Sequence, residues 1–271
     1  MNLPKTEMRN PASMHMDQMS SEEMARLVIT ANYDAVRAVE NAAASIASAV
    51  DAIAAAFSMG GRLFYIGAGT SGRLGILDAA ECPPTFGVPH EQVTGIMAGG
   101  KERVFRAGEN EEDNYEKGSL AVAEHAMTKG DVLVGISAAG GAAYVVGALE
   151  AAKAAGCVTI GISSNENTPV LRTADIPIFT DTGAEVLTGS TRLKAGTAQK
   201  IVLNTLTTCA MAKTGKVYEN MMINLAPSNT KLEKRVVRIV CSILDCEEKK
   251  ALTLLEENDW NIRRAVEAAK R

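Results

Sequence analysis

Four short stretches of the chain combine residue types suited to a phosphorylated, hydroxylated ligand. The first is GAGTSGRLG, Gly67 to Gly75. It follows an apolar β-like run and precedes a helix-compatible one, so its glycines permit a tight turn and the N–H groups opening the helix favour an anion. Gly69, Thr70, Ser71 and Gly72 are the phosphate-binding candidates, two for close backbone approach and two as hydroxyl donors. The competing reading is a loop that uses glycine merely to turn. Gly67, Gly69 and Gly72 also satisfy G-x-G-x-x-G, but a long helical segment precedes this turn and no acidic residue closes a second strand about twenty positions on, which tells against a dinucleotide.

The second stretch is DAAECPPTFGV, Asp78 to Val88, in which Glu81 sits just before Cys82 and a Pro-Pro pair expected to stop the helix. Glu81 could face a ligand pocket or be an exposed carboxylate at a helix end. Cys82 has no His or Lys beside it and reads as packing. The third is the acidic cluster GENEEDN, with Glu109, Glu111, Glu112 and Asp113. Such a cluster reads as a solvated helix start; with one member turned inward, it and Glu81 would form the carboxylate pair that acid–base chemistry uses. The fourth is LTGSTRLKAGTAQK, Leu187 to Lys200, where Ser190, Thr191 and Lys194 offer hydroxyl and cationic donors to an oxyanion or sugar. Its alternative is a capped amphipathic helix.

These stretches need elements to position them. A helical reading begins at Ser20 or Ser21, capping ahead of Glu22 and Glu23, and ends near Gly60-Gly61. Five β-like runs then alternate with helices: Arg62 to Gly67, Val93 to Met97, Asp131 to Ser137, Cys157 to Ser163 and Ile176 to Phe179. That alternation predicts an α/β fold, a doubly wound parallel sheet flanked by helices. From residue 191 the pattern is helical, with Gly215 as its stop, followed by an extended, Pro-containing connection over 221–230. Short helices over 231–244 and 246–270, the latter broken at Asn258-Asp259, form a small C-terminal appendage.

Composition excludes several classes. The 271 residues, 46% hydrophobic and 22% charged, suffice for one large domain or two ordinary ones. A net charge of −4 leaves no electrostatic footprint for nucleic acid. No apolar run approaches the roughly 20 residues that span a bilayer, so no membrane is expected. The N-terminus has no continuous apolar h-region, and five scattered Cys suit reduced thiols, so a cytoplasmic protein is expected. Three dispersed His make a His-based metal site improbable, and 4% aromatic content argues against stacking on bases or nicotinamide.

Taken together, YIGAGTSGRLGILDAAECPPTFGV (65–88), IMAGG (96–100), EED (111–113) and EVLTGSTRLKAGTAQK (185–200) resemble the N-acetylmuramic acid 6-phosphate etherase family. TEMRNPAS at 6–13 and KVYENMMINLAPSNTKLEKRVVRIV at 216–240 extend the resemblance over nearly the whole chain. The family is similar to the sugar isomerase (SIS) fold and to the glucokinase regulatory protein. The resemblance implies an N-terminal segment and helices over 1–58, a phosphosugar-binding domain over 59–240 and a small helical domain over 241–271. It also implies a cytoplasmic homodimer in peptidoglycan recycling that acts on a phosphorylated amino sugar without a metal or redox cofactor. The implied reaction cleaves the lactyl ether at C3, giving N-acetylglucosamine 6-phosphate and D-lactate. A base removes the C2 proton, acidified by the C1 aldehyde of the open-chain sugar; an acid protonates the departing oxygen; water adds across the double bond. By family pattern, not by spacing, Glu81 is the acid and Glu112 the base.

One stretch departs from the family. Where the family pattern reads AASGRTPYV, this chain has SAAGGAAYV, Ser137 to Val145, with Ala139, Gly141, Ala142 and Ala143 replacing Ser, Arg, Thr and Pro. The loop keeps backbone N–H groups but loses hydroxyl donors, and hydrogen bonds to a charged group contribute about 1.5–3 kcal/mol each. Ser137 is the candidate for a displaced hydroxyl. The depleted loop motivates a second reading, a phosphosugar-binding sensor without turnover. A third is aldose–ketose isomerisation, for which His90 or His125 would have to open the ring.

Overall fold

The computed structural model describes residues 3–108, 110–224 and 230–270. Glu109 of the acidic cluster and residues 225–229 of the expected connection lie outside them.

The first helix, α1 (Ser21–Asn41), opens on a reciprocal cap: the Ser20 hydroxyl accepts the Glu23 N–H, and the Glu23 carboxylate accepts the Ser20 N–H. Then follow α2 (Ala43–Ser58), β1 (Leu63–Gly67), α3 (Gly69–Phe86), β2 (Val93–Met97) and the single turn α4 (Glu102–Phe105). After these come α5 (Tyr115–Glu124), β3 (Val132–Ile136), α6 (Ala143–Ala154), β4 (Val158–Ser163), α7 (Pro169–Thr173), β5 (Ile176–Phe179) and α8 (Lys194–Lys213). All five expected strands form, within a residue of their expected ends, as one parallel sheet in the order β2-β1-β3-β4-β5.

Every residue of β1 and β3 is buried, as a sheet covered on both faces requires. Alternate side chains feed two cores. Leu63 and Tyr65 join Val134, Ile53 and Leu203 beneath α1, α2, α3 and α8, while Phe64 and Ile66 join Leu133, Val145 and Leu149 beneath α5, α6 and α7. Winding direction reverses between β1 and β3. In open α/β sheets this switch point, at the carboxyl ends of the strands, is where ligands bind.

One expectation gives way. The Pro83-Pro84 pair does not stop α3, which continues to Phe86 and ends at Gly87 with φ +62°. A proline removes an N–H and crowds the preceding turn but has a helix-compatible φ itself. Here the Gly87 N–H closes on the Pro83 carbonyl, so the last turn persists. The stretch from residue 221 opens extended: β7 (Met221–Met222) pairs antiparallel with β6 (Val217–Tyr218).

Gly215, at φ +75°, follows α8 as the expected stop. Beyond β7, α9 (Thr230–Leu244), α10 (Glu248–Glu256) and α11 (Ile262–Ala269) enclose a separate core of Val236, Val240, Ala251, Leu255, Ile262 and Ala265. Among the described residues no single helix is long and apolar enough to cross a membrane.

Candidate active site

The turn after β1 uses its glycines for two different ends. A Cβ at Gly72 would lie 2.4 Å from the Gly67 carbonyl oxygen and 2.5 Å from the Met97 sulfur, so Gly67 and Gly72 allow helix and strand to touch. Gly69 has φ +54° and open space around its missing Cβ, so it serves the turn and leaves room above it. Thr70 and Ser71 follow in the first turn of α3, where backbone N–H groups lack helical acceptors and suit an anion.

The floor of this cradle is a polar seam between α3 and α8. The Ser71 hydroxyl donates to the Gln199 side-chain oxygen at 3.0 Å, both residues buried. Farther along α3, Asp78 accepts from the Tyr65 hydroxyl at 2.9 Å, from Asn204 at 2.7 Å and from Thr207 at 3.3 Å. Burial first, then the Asp78 charge, pushes the Tyr65 phenol well above its usual range, so it stays a donor. Cys82, on the same buried face, is pushed up to about 12, chiefly by burial, and is inert packing.

The facing loop after β3 has turned inward for its own support. The Ser137 hydroxyl accepts the Gly140 N–H at 3.0 Å, and Gly140, at φ +78°, packs where a Cβ would strike the Ser163 and Thr168 hydroxyls. Over Gly141 lies open space. The Ser137 oxygen therefore shapes the loop, which presents backbone to the crevice.

The Leu187–Lys194 loop is anchored from below. The fully buried Glu185 carboxylate accepts the N–H groups of Lys194 and Ala195, capping α8. The Lys194 ammonium, buried, pairs with Asp34 of α1 at 3.2 Å, so its charge is committed to the α1 contact. Ser190 and Thr191 are half-buried in the turn before α8. The N-terminal segment straps these loops: Thr6 receives a hydrogen bond from Asn165 and its carbonyl accepts the Gly189 N–H.

The acidic cluster forms a short 3-10 turn, Glu111 to Asp113, beside the cradle. A cavity of about 420 Å³ lies between them, lined by Gly69, Arg73, Arg103, Glu111, Glu112 and Asp113 among others. Glu111 is half-buried and pairs with Arg103 at 3.5 Å and Lys117 at 3.6 Å, while Glu112 is exposed. Glu81 is exposed and is not among the lining residues. It lies eleven residues beyond Thr70, on the order of 16 Å along the helix from the cradle. His125 bonds the Ala121 carbonyl of its own helix at 2.9 Å and His90 is exposed. Among the described residues no group of three His, Cys, Asp or Glu is placed to hold a metal.

Residues beyond the expected set complete the picture: Gln199, Asp78, Glu185, Arg73 and Arg103. Asp78 and Gln199 carry a readable signal, since each is polar on the helix face that otherwise buries small or apolar residues. For Arg73 and Arg103 no local pattern distinguishes them from solvated helix arginines.

The chain matches the N-terminal SIS domain of glucokinase regulatory protein over residues 45–153, the SIS domain over 113–209 and a UBA-like domain over 240–268. A phosphoheptose isomerase from Francisella tularensis superposes with a TM-score of 0.54 over 72% of this chain and all of its own, at 16% identity, a likeness of fold. An N-acetylmuramic acid 6-phosphate etherase from Pasteurella multocida is 47% identical over 96% of this chain and 87% of its own length. N-acetylmuramic acid 6-phosphate etherase 2 from Vibrio cholerae is 49% identical over 96% of this chain and 85% of its own. With this identity over nearly its whole length, on a five-stranded SIS sheet with a helical C-terminal unit, the chain belongs to the N-acetylmuramic acid 6-phosphate etherase family.

Proposed function

We propose that the protein is a carbon–oxygen lyase that cleaves the D-lactyl ether of N-acetylmuramic acid 6-phosphate by elimination followed by water addition. The observation that carries this reading is the cavity that sets Glu112 against the glycine cradle at the carboxyl end of β1. The cradle of Gly69, Thr70, Ser71 and Gly72 receives the phosphate, with Ser190 and Thr191 on the neighbouring α8 turn. Glu112 removes the C2 proton, and the electron pair is delocalised onto the C1 aldehyde. Collapse of that carbanion breaks the C3–O bond, Glu81 protonates the leaving lactate oxygen, and water adds at C3.

Glu81 does not line the cavity that holds Glu112 in its own chain, which supports a site completed by a second copy in a homodimer. Supporting this, α1 carries an exposed apolar stripe of Ile29, Tyr33 and Val36, 65%, 61% and 51% exposed, at helical spacing on one face. The expected setting is the cytoplasm, in peptidoglycan recycling.

Purified protein given N-acetylmuramic acid 6-phosphate releases D-lactate, and Glu81→Gln and Glu112→Gln each abolish it. Release persisting in both variants refutes the assigned roles. Mixing the two inactive variants restores part of the activity if sites are shared between copies, and restores none if each site lies within one chain.

A further inference from the structure

The proposed substrate is anionic at two places, the 6-phosphate and the carboxylate of the lactyl group, and the glycine cradle accounts for one. This inference rests on the etherase reading. The lactyl carboxylate is separated from the ether oxygen by a single carbon, and the ether is on C3, adjacent to the C2 that Glu112 deprotonates. A group that recognises that carboxylate must therefore share a cavity with Glu112. Among the residues lining that cavity the cations are Arg73 and Arg103.

The two guanidiniums are in different states. Arg73 donates through Nε to the Val104 carbonyl at 2.8 Å and through Nη2 to the Arg103 carbonyl at 2.7 Å. It is committed to holding α4. Among the described residues Arg103 makes one weak polar contact, Nη2 to Glu111 at 3.5 Å, and Glu111 is shared with Lys117. The loop is cleared around Arg103 on two sides. A Cβ at Gly99 would lie 2.6 Å from the Arg103 Cγ, and one at Gly108 would lie 2.5 Å from its Nε and 2.6 Å from its Cζ. The backbone is thus fitted around a planar guanidinium whose fork is largely unused, with its side chain 36% exposed.

We propose that Arg103, positioned by Arg73 and flanked by Gly99 and Gly108, binds the lactyl carboxylate and determines specificity for a 3-O-lactyl sugar. A guanidinium matches a carboxylate with two parallel hydrogen bonds. The dianionic phosphate is disfavoured here because Glu111, Glu112 and Asp113 line the same wall, whereas the helix N-terminus at Gly69 suits it.

The test is binding in the Glu112→Gln background, which prevents turnover, with two sugars measured by calorimetry. N-acetylmuramic acid 6-phosphate carries the lactyl carboxylate; N-acetylglucosamine 6-phosphate lacks it. Adding Arg103→Met weakens the first by roughly 10- to 100-fold and leaves the second unchanged within about two-fold. Arg103→Lys, which keeps charge without the fork, recovers part of the loss and guards against misfolding. Equal weakening of both sugars assigns Arg103 to the phosphate and overturns the proposal, as does no change in either. Lactate release by the unmodified enzyme is a separate readout, so failure of the etherase reading and failure of this one are told apart.

Discussion

Replacing Asp78 with Ala removes the node of the α3–α8 seam, and its effect can be worked from the three donors it serves. Thr207 keeps another acceptor, the Leu203 carbonyl at 3.2 Å, and loses little. Asn204 is partly exposed and can turn to water. The Tyr65 hydroxyl is fully buried in β1 and has nowhere to go, so it is left unsatisfied at about 1–3 kcal/mol. The lost charge-assisted bonds add to this, and relief of a buried carboxylate's desolvation subtracts from it. The net expectation is a loss of about 2–4 kcal/mol, a fall in Tm of roughly 5–15 °C for a chain of this size. Tyr65→Phe alone, which leaves Asp78 two donors, lowers stability by about 1 kcal/mol. Because both changes remove the same bond, the double variant is less destabilised than the sum of the two by about 1 kcal/mol or more. Urea unfolding of all four proteins measures this cycle. An Asp78→Ala loss under about 0.5 kcal/mol, or strict additivity, refutes the view that this seam fixes α3 beneath the cradle.

Two further predictions concern the cradle and acid stability. Gly72→Ala forces a Cβ to within 2.4 Å of the Gly67 carbonyl oxygen and lowers stability by about 1–3 kcal/mol or more, whereas Gly69→Ala meets no atom and carries only the left-handed strain of about 1–2 kcal/mol; thermal unfolding compares them, and a larger effect at Gly69 contradicts the geometry. Burial by itself raises the Asp131 carboxyl, but the Arg62 guanidinium and the N–H groups of Thr128 and Arg62 outweigh it and hold the group below its usual value. A depressed folded-state value means its stabilisation is present above the unfolded carboxylate range and is lost as pH falls through the folded value. Asp131→Asn therefore flattens the acid limb of the stability–pH curve below about pH 4, and an unchanged slope there contradicts the pairing.

The sheet is legible in the sequence because its strands are buried on both faces, which leaves short apolar runs such as RLFYIG and DVLVGIS bounded by glycine and charge. The cradle could be read for a related reason, since close helix–strand contact at Gly67 and Gly72 admits no other residue. The Pro83-Pro84 pair does not end α3 because proline's own φ is helix-compatible and the left-handed Gly87, closing on the Pro83 carbonyl, carries the helix through another turn. The local sequence offers Lys194 to a ligand, but its pairing with Asp34, 160 positions away, is a tertiary fact that no local spacing encodes. Ser137 and Arg103 make the same point: one hydroxyl accepts from its own loop, and one arginine packs against glycines at 99 and 108 that sequence alone does not place beside it.

The central claim is the route of bond cleavage, and isotope labelling addresses it directly. With N-acetylmuramic acid 6-phosphate turned over in H₂¹⁸O, elimination and re-addition break the bond between C3 and the ether oxygen. Mass spectrometry with fragmentation is then expected to find ¹⁸O at C3 of N-acetylglucosamine 6-phosphate and none in D-lactate. Label in the lactate, or no lactate at all, contradicts the account.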